Sequence, residues 1–432
     1  MPSDILLARL EPVKLNMKSL WACLLAILLA LGAGVALTQE NAAGLQAARQ
    51  LMAAGQLPEA IAAYRTDLAK HPSEAGELEL AEAYRRVHNF EAARKVLQQA
   101  QREHPNSAAV WKERGNLELE AQSFDAAVAA FRKALLIAPK DLELRNFLGS
   151  AYQGKNDAPA ALGEFNFVIA HDAQNQLAHY LRAQIYADAG ENQQALPDAQ
   201  MVVAARPNYV PGRVLLAKIQ VRMKQCAAAA ENLRAAHDAK ELDAQGLFVL
   251  ANAYECAGSA AAKEVREEFA AAAAKQHQRE ENDVQSKHLV EQANELARKN
   301  QFAEAMGLLE EALAQNPENG FAYSQKAKIL FSLGDVKGAK EAISRAVELQ
   351  PYQPDFLYVQ GVICESEGNL EEALGIFREV TEIRPGEADA YFEMGKIKLK
   401  QGDRLGAREN FREATELDPA EQEYRSALQG VK

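Results

Sequence analysis

Small residues recur every 34 positions along most of this chain, and that spacing limits its fold more than any other feature. Ala81, Gly115, Gly149, Ala183, Ala217 and Ala251 form one series, and Ala293, Ala327, Gly361 and Gly395 form another. Twelve residues later comes a second small position, held by Ala93, Ala127, Ala161, Ala195 and Ala229, then by Ala305, Ala339, Ala373 and Ala407. A third reads Ala100, Ala134, Ala236, Ala312, Ala346 and Ala414. Prolines follow at Pro72, Pro105, Pro139, Pro207, Pro317, Pro351, Pro385 and Pro419. A fixed period in this range marks stacked supersecondary units that cannot bury their apolar faces alone.

The units read as pairs of antiparallel helices. Aromatics make up 7% of the chain, and Ala, Leu, Glu, Gln, Lys and Arg, the residues that lose least entropy in a helix, dominate. Small side chains at matched positions let two helix backbones approach. Tyr84, Tyr152, Phe131, Phe165, Phe377 and Phe411 are placed to fill the space between them. Turns are expected near Gly55, Gly190, Gly258, Gly334, Gly368 and Gly402. The closing proline cannot continue a helix and ends the second one. The expected fold is all-α, an α-solenoid in which successive pairs stack into a superhelix.

These residues resemble the tetratricopeptide-repeat family over roughly positions 41 to 419, in about eleven copies. The resemblance implies a right-handed superhelix of helix-turn-helix units. The fourth copy departs from the pattern with Ala173 where proline is usual, and the seventh with Lys263 at a small position. Between Ala251 and Ala293 the step is 42 residues, eight too many. The intervening "EVREEFAAAAAKQHQREENDVQSK" is Ala-rich and then charged, which predicts a lengthened helix and not a flexible linker. The organisation expected is an N-terminal array of about seven units over 41–277, a charged helical linker at 278–285, about four units over 286–421, and the start of a capping helix at 422–432. The angle between the two arrays is expected to vary.

Residues 1–40 stand outside this pattern. Lys14 and Lys18 precede an uncharged apolar stretch from Ser19 to Gln39, the design of an export signal. A second start at Met17 has signal-peptide proportions, and Gly34 and Ala36 offer small residues for cleavage. About 18 apolar residues also suffice for an uncleaved anchor across a bilayer, so cleaved signal and membrane anchor both stand. Cys23 does not fit a lipidation site, since Trp21 precedes it and the apolar stretch follows it. In either reading the positive-inside bias places the rest of the chain outside the cytoplasm, in the periplasm or an equivalent space.

Catalytic, cofactor and metal sites are not expected. "GSAYQGKN" at 149–156 approaches a phosphate-binding loop but has Asn156 where a hydroxyl is needed, and it ends a helix. None of the eight histidines falls in a zinc-type spacing. His71 and His104 precede closing prolines, where a cationic side chain suits a helix C-terminus. A net charge of −12 argues against nucleic acid. In an exported chain Cys226 and Cys256, at the same edge of adjacent units, are candidates for a disulfide, with two unpaired thiols as the alternative. Cys364 occupies the place of Tyr84 and Tyr152 and is expected in the core.

The resemblance also implies a peptide or protein partner held on the concave face by the first helices. In the C-terminal block the candidates are Lys328, Phe331, Tyr358, Phe392, Lys396 and Lys400, a mixture of aromatics and lysines suited to an extended acidic peptide. In the N-terminal block they are Lys112, Asn116, Asn146, Tyr180, Gln184, Lys218, Arg222, Phe248 and Asn252, where amides are suited to a ligand's backbone. "WKERGN" at 111–116 holds two groups of a carboxylate clamp, Lys112 and Asn116, but Phe147, Leu177 and Leu181 stand where its other members belong. The expectation is a non-enzymatic interaction scaffold outside the cytoplasm. An accessory subunit of envelope polysaccharide assembly or export is the alternative.

Overall fold

The computed structural model describes residues 44–431. The predicted signal or anchor at 1–40 lies outside the described residues, and no described helix is long and apolar enough to cross a membrane. The described chain is helical, with no strand among the described residues.

The helices alternate strictly as first and second members of pairs. Helix α1 (44–53) pairs with α2 (Leu57–Lys70), α3 (Glu74–Arg86) with α4 (Phe90–Glu103), and α5 (Ala108–Glu120) with α6 (Phe124–Ile137). Next come α7 (Leu142–Gly154) with α8 (Ala158–His171), α9 (Gln176–Asp188) with α10 (Asn192–Ala205), and α11 (Val210–Arg222) with α12 (Cys226–Asp238). Helix α13 (Ala244–Cys256) pairs with the first half of α14 (Ala261–Arg298), and α15 (Phe302–Gln315) with the second half. Then α16 (Gly320–Ser332) pairs with α17 (Val336–Leu349), α18 (Pro354–Ser366) with α19 (Leu370–Ile383), and α20 (Ala388–Lys400) with α21 (Arg404–Leu417). Helix α22 (Gln422–Gly430) closes the stack on α21.

The extra eight residues are absorbed by α14, which runs unbroken for 38 residues through 278–285. Its second half is anchored by Ser286, which donates to Ala312 O at 2.8 Å and accepts from Asn319 Nδ2 at 2.8 Å. Helix N-termini are satisfied in the usual way. Ser73, Asn89, Asp141, Asp157 and Asn319, for example, each accept from a backbone amide two or three residues on.

Close approach within a pair follows a size rule. Gly115, Gly149, Gly361 and Gly395 each face a phenylalanine sixteen positions later: Phe131, Phe165, Phe377 and Phe411. A Cβ on Gly149 would stand 2.5 Å from the Phe165 ring, and one on Gly361 2.8 Å from that of Phe377. Where the first position is alanine, the facing residue is smaller: Leu97, Ala199, Leu233, Leu309 and Ile343 for Ala81, Ala183, Ala217, Ala293 and Ala327. Except for Ala183 with Ala199, the Gly–Phe, Ala–Leu and Ala–Ile pairs sum to similar volumes, as close packing requires.

Every turn within a pair needs one residue in the left-handed region. Glycine supplies it at the six predicted positions, with φ from 69° at Gly258 to 84° at Gly368. His88, Gln122, Asn156, Lys224 and Asn300 adopt the same conformation with φ from 56° to 61°, at about 1 kcal/mol each for a residue with a Cβ.

Successive first helices touch one another (α3 with α5, α5 with α7, α16 with α18), whereas successive second helices make no comparable contact. The array therefore bends with its first helices on the inside. It also returns on itself. Helix α2 packs on α19, and one apolar cluster contains Ile61, Tyr64 and Tyr84 together with Leu357, Phe377 and Ile383. Arg65 pairs with Glu382, and the Tyr352 hydroxyl donates to Gly55 O. The two arrays, expected to meet at a variable angle, are here held by a direct contact.

Candidate binding surfaces

The bend places the inner positions of the first helices on one continuous face, and their side chains are largely committed to neighbours. Lys112 Nζ donates to Glu143 Oε2 of the next unit at 2.7 Å and lies over the Phe147 ring. Asn116 Nδ2 donates to Glu113 at 3.2 Å. Lys218 donates to Asp188 of the preceding unit at 3.0 Å, and Arg222 to Ala187 O. Asn252 accepts from Arg266 Nη2 at 3.0 Å. Asn146 is buried and donates to Asn175 Oδ1, so it serves the packing between units and not the open face.

Tyr180 packs edge-on against Tyr209 and accepts from Gln184, and burial pushes its phenol up to about 12. Both tyrosines line a small cavity of about 80 Å³ with Gln176, Leu177, Val202 and Arg206. Phe248 remains 43% exposed against Phe269.

In the C-terminal block Lys396 pairs with Glu393 at 2.5 Å and Lys400 with Glu365 at 2.7 Å. Carboxylates crowd the same face. Burial, followed by Glu393, Asp389, Glu387 and Glu365, drives the Tyr358 phenol well above its ordinary range. Lys396 and Lys400 are thus neutralised within the protein, which leaves this part of the face less suited to an acidic peptide than expected. Phe392 is corrected too. It is 6% exposed, wedged between Phe411 and Tyr424, and belongs to the core that α22 covers. Lys328 is different. Its side chain reaches solvent and has no ion pair among the described residues, yet the surrounding wall desolvates its ammonium and lowers its pKa, opposed by Asp355. Phe331, half-buried, lies one helical turn away on α16.

The second surface is the junction of the two arrays. A cleft of about 510 Å³ is walled by Arg86, Val87, His88 and Asn89 on one side and by Gln350 to Pro354, Ile383 and Arg384 on the other. Arg384 is paired with Asp355 at 3.0 Å and Glu387 at 2.8 Å. Glu379, facing Glu59 beside the junction, is pushed up to about 7 by burial and then by that second carboxylate. A folded-state pKa above the unfolded value means the folded chain binds more protons, so this contribution is full below about pH 4.5 and lost as pH rises towards 7. We expect unfolding midpoints to fall between pH 5 and 7.5 by an amount on the order of 2 kcal/mol, reduced by solvent screening. Glu379→Gln should flatten that dependence, as denaturant melts across this range would show. An unchanged profile would remove Glu379 from the account.

One feature escaped sequence reasoning, a recurring donor, while the cysteines lie where the sequence offered them. Cys226 and Cys256 are joined as a disulfide with Cα atoms 5.6 Å apart, where the sequence left pairing open. Cys364 is buried and free, its thiol raised to about 11 by burial. The donor recurs every 34 residues: Trp111, Arg145, His179 and Arg213 each bond the carbonyl six positions earlier, on Pro105, Pro139, Ala173 and Pro207. The residue types share only an N–H, so a search for identical residues misses the series.

Stacked helix pairs in register, first helices inward, define an α-helical repeat solenoid. Tetratricopeptide-repeat profiles match residues 78–141, 148–210, 296–362 and 388–421, and the chain belongs to the tetratricopeptide-repeat family. Members of this family bind protein or peptide partners. The chain is 32% identical over 157 residues to superkiller protein 3 of Schizosaccharomyces pombe, a match covering 36% of this chain and 11% of that protein. The chain thus spans about a tenth of the curated relative's length. Among solved structures, the anaphase-promoting-complex hetero-tetramer Cut9–Hcn1 aligns at 11% identity over 89% of this chain and 95% of its own, with TM-score 0.32. A MamA RS-1 double mutant aligns at 22% identity over 34% of this chain and 83% of its own, TM-score 0.31. YrrB, described as a TPR protein with an unusual peptide-binding site, aligns at 19% identity over 61% of this chain and 97% of its own, TM-score 0.29.

Proposed function

We propose that this chain is a non-enzymatic scaffold that holds a peptide or protein partner on the inner face of its first helices, outside the cytoplasm. The observation that carries the binding reading is Lys328. It is an ammonium without an ion pair among the described residues on a face where the other lysines are paired, and Asp355 offsets its desolvation only in part, so an anionic or hydrogen-bonding group is favoured there. Phe331 and Tyr358 supply apolar area nearby on adjacent first helices. A partner segment that presents one acceptor to Lys328 among apolar side chains fits this surface better than a uniformly acidic one.

A displayed peptide library selected on the purified protein tests this. Lys328→Glu and Tyr358→Ala should each weaken the selected peptides by at least about tenfold, ~1.4 kcal/mol. Lys337→Glu, on the outer helix α17 and 89% exposed at its side chain, should leave binding intact. Equal loss in all three variants would refute the inner-face assignment.

The location outside the cytoplasm rests on the apolar stretch at 19–39 behind Lys14 and Lys18, and is supported by the Cys226–Cys256 pair, since disulfides persist in oxidising compartments. Fractionation with N-terminal sequencing of the mature protein decides it. A cytoplasmic protein with an intact N-terminus would overturn this part while leaving the binding face untouched.

A further inference from the structure

The recurring donor has one conspicuous inversion. Thirty-four positions before Trp111, where the neighbouring units place an N–H, the second unit places a carboxylate, Glu77. Glu77 sits in the first turn of α3 and is 5% exposed. Its Oε2 is buried with no hydrogen-bond partner, and it lies 3.5 Å from His104 Nε2. Glu103, the last residue of α4, completes a trio whose ligand atoms all lie within 4.8 Å of one another. A buried carboxylate oxygen without a donor is costly. A second carboxylate beside it makes the arrangement worse. Two carboxylates and an imidazole converging on one point lack the same thing, a positive centre that accepts electron pairs.

We propose that Glu77, Glu103 and His104 form a binding site for one first-row divalent cation, with Zn²⁺ as the matching ion. One nitrogen and two oxygen ligands favour zinc over calcium or magnesium, which take oxygen alone. Ligand bonds near 2.0–2.2 Å require the trio to contract, which the exposed Glu103 would supply by rotating inward at the cost of its bond from Gln99. Around the trio stands a supporting shell. Glu74 Oε2 lies 3.8 Å from His104 Nδ1, on the far side of the ring from Glu77, where a carboxylate orients a ligating imidazole. Glu74 is itself held by Ser107 Oγ at 2.5 Å, and Glu103 accepts from Gln99 at 2.9 Å. The ion would clip the start of α3 to the end of α4, close to where Trp111 ties the next unit to its own loop. It would therefore stiffen the unit that flanks the junction cleft.

The test uses the full chain, freed of metal by a chelator and then titrated with ZnCl₂ at pH 7.5 by calorimetry and thermal melting. One-to-one binding in the micromolar range and a rise of the melting temperature by a few degrees are expected, since a ligand of the folded state stabilises by mass action. Glu77→Gln, which keeps the shape of the side chain, and His104→Ala should abolish both effects. Glu74→Ala should weaken binding by about 10–100-fold, as loss of an orienting carboxylate does. Glu77→Gln should also melt no lower than the metal-free parent, which separates a lost ligand from a lost fold. Zinc binding that survives in His104→Ala, for example on the exposed His277, Glu281 and His288 of α14, would overturn the proposal. So would absence of binding, which would leave the trio as an ion pair that requires a protonated imidazole.

Discussion

Phe377→Ala should destabilise the protein by about 3–5 kcal/mol, the range for emptying a fully buried aromatic site. Phe377 is 0% exposed, rests on Gly361, and packs within the cluster that also contains Tyr64 and Tyr84 of the N-terminal units. The variant should therefore do more than lower the denaturant midpoint. It should loosen the contact between α2 and α19, and hydrogen exchange should rise in both helices although some 300 residues separate them, as the 317-residue span between Arg65 and Glu382 illustrates. Gly361→Ala presses a Cβ against the same ring and should cost about 1–3 kcal/mol by overpacking. Combining Gly361→Ala with Phe377→Leu reproduces the Ala–Leu pairing of Ala81 with Leu97 and should recover much of the Gly361→Ala loss. Additive losses in the double variant would show that volume matching is not what links the two positions.

Removal of the Cys226–Cys256 bridge has the second largest expected effect. The cysteines are 30 residues apart in sequence, and closing a loop of that length stabilises the folded state by about 3–4 kcal/mol in the chain-entropy account. The double variant Cys226→Ala, Cys256→Ala, or simple reduction, should lower the midpoint of the sixth and seventh units by an amount on that scale. In a solenoid each unit contacts mainly its neighbours, so α11 to α13 should open before the rest. Identical melts with and without reductant would mean that the bridge adds nothing beyond the packing already there.

The way the chain closes alters how its surfaces work. An open superhelix offers an inner face of adjustable curvature, but the contact of α2 with α19 holds the two arrays together and creates the junction cleft. Glu379 makes that contact easier to keep below neutral pH than above it. The proposed partner site at Lys328 on α16, one unit before the junction, is placed to be sensitive to whether the array is held closed.

Much of this architecture is legible in the residues. The 34-residue period, the eight-residue excess before Ala293, and the glycine turns predict the helix pairs, the unbroken α14 and the left-handed residue of the six turns that carry a glycine. These features are local: one unit's helices, turn and small-residue contact are encoded within that unit, and repetition multiplies the signal. The Gly–Phe and Ala–Leu pairings were also present in the sequence, sixteen residues apart, but they emerge as a rule only when the rings are seen resting on the glycines. Tertiary structure alone decided the rest. It showed that Lys396, Lys400, Lys112 and Lys218 are neutralised by carboxylates on their own or neighbouring helices, that Phe392 is capped by Tyr424, and that Glu77 faces His104. It also showed that Arg65 meets Glu382. None of these has a period. Each depends on how small rotations between units accumulate over the superhelix, and no single repeat encodes that sum.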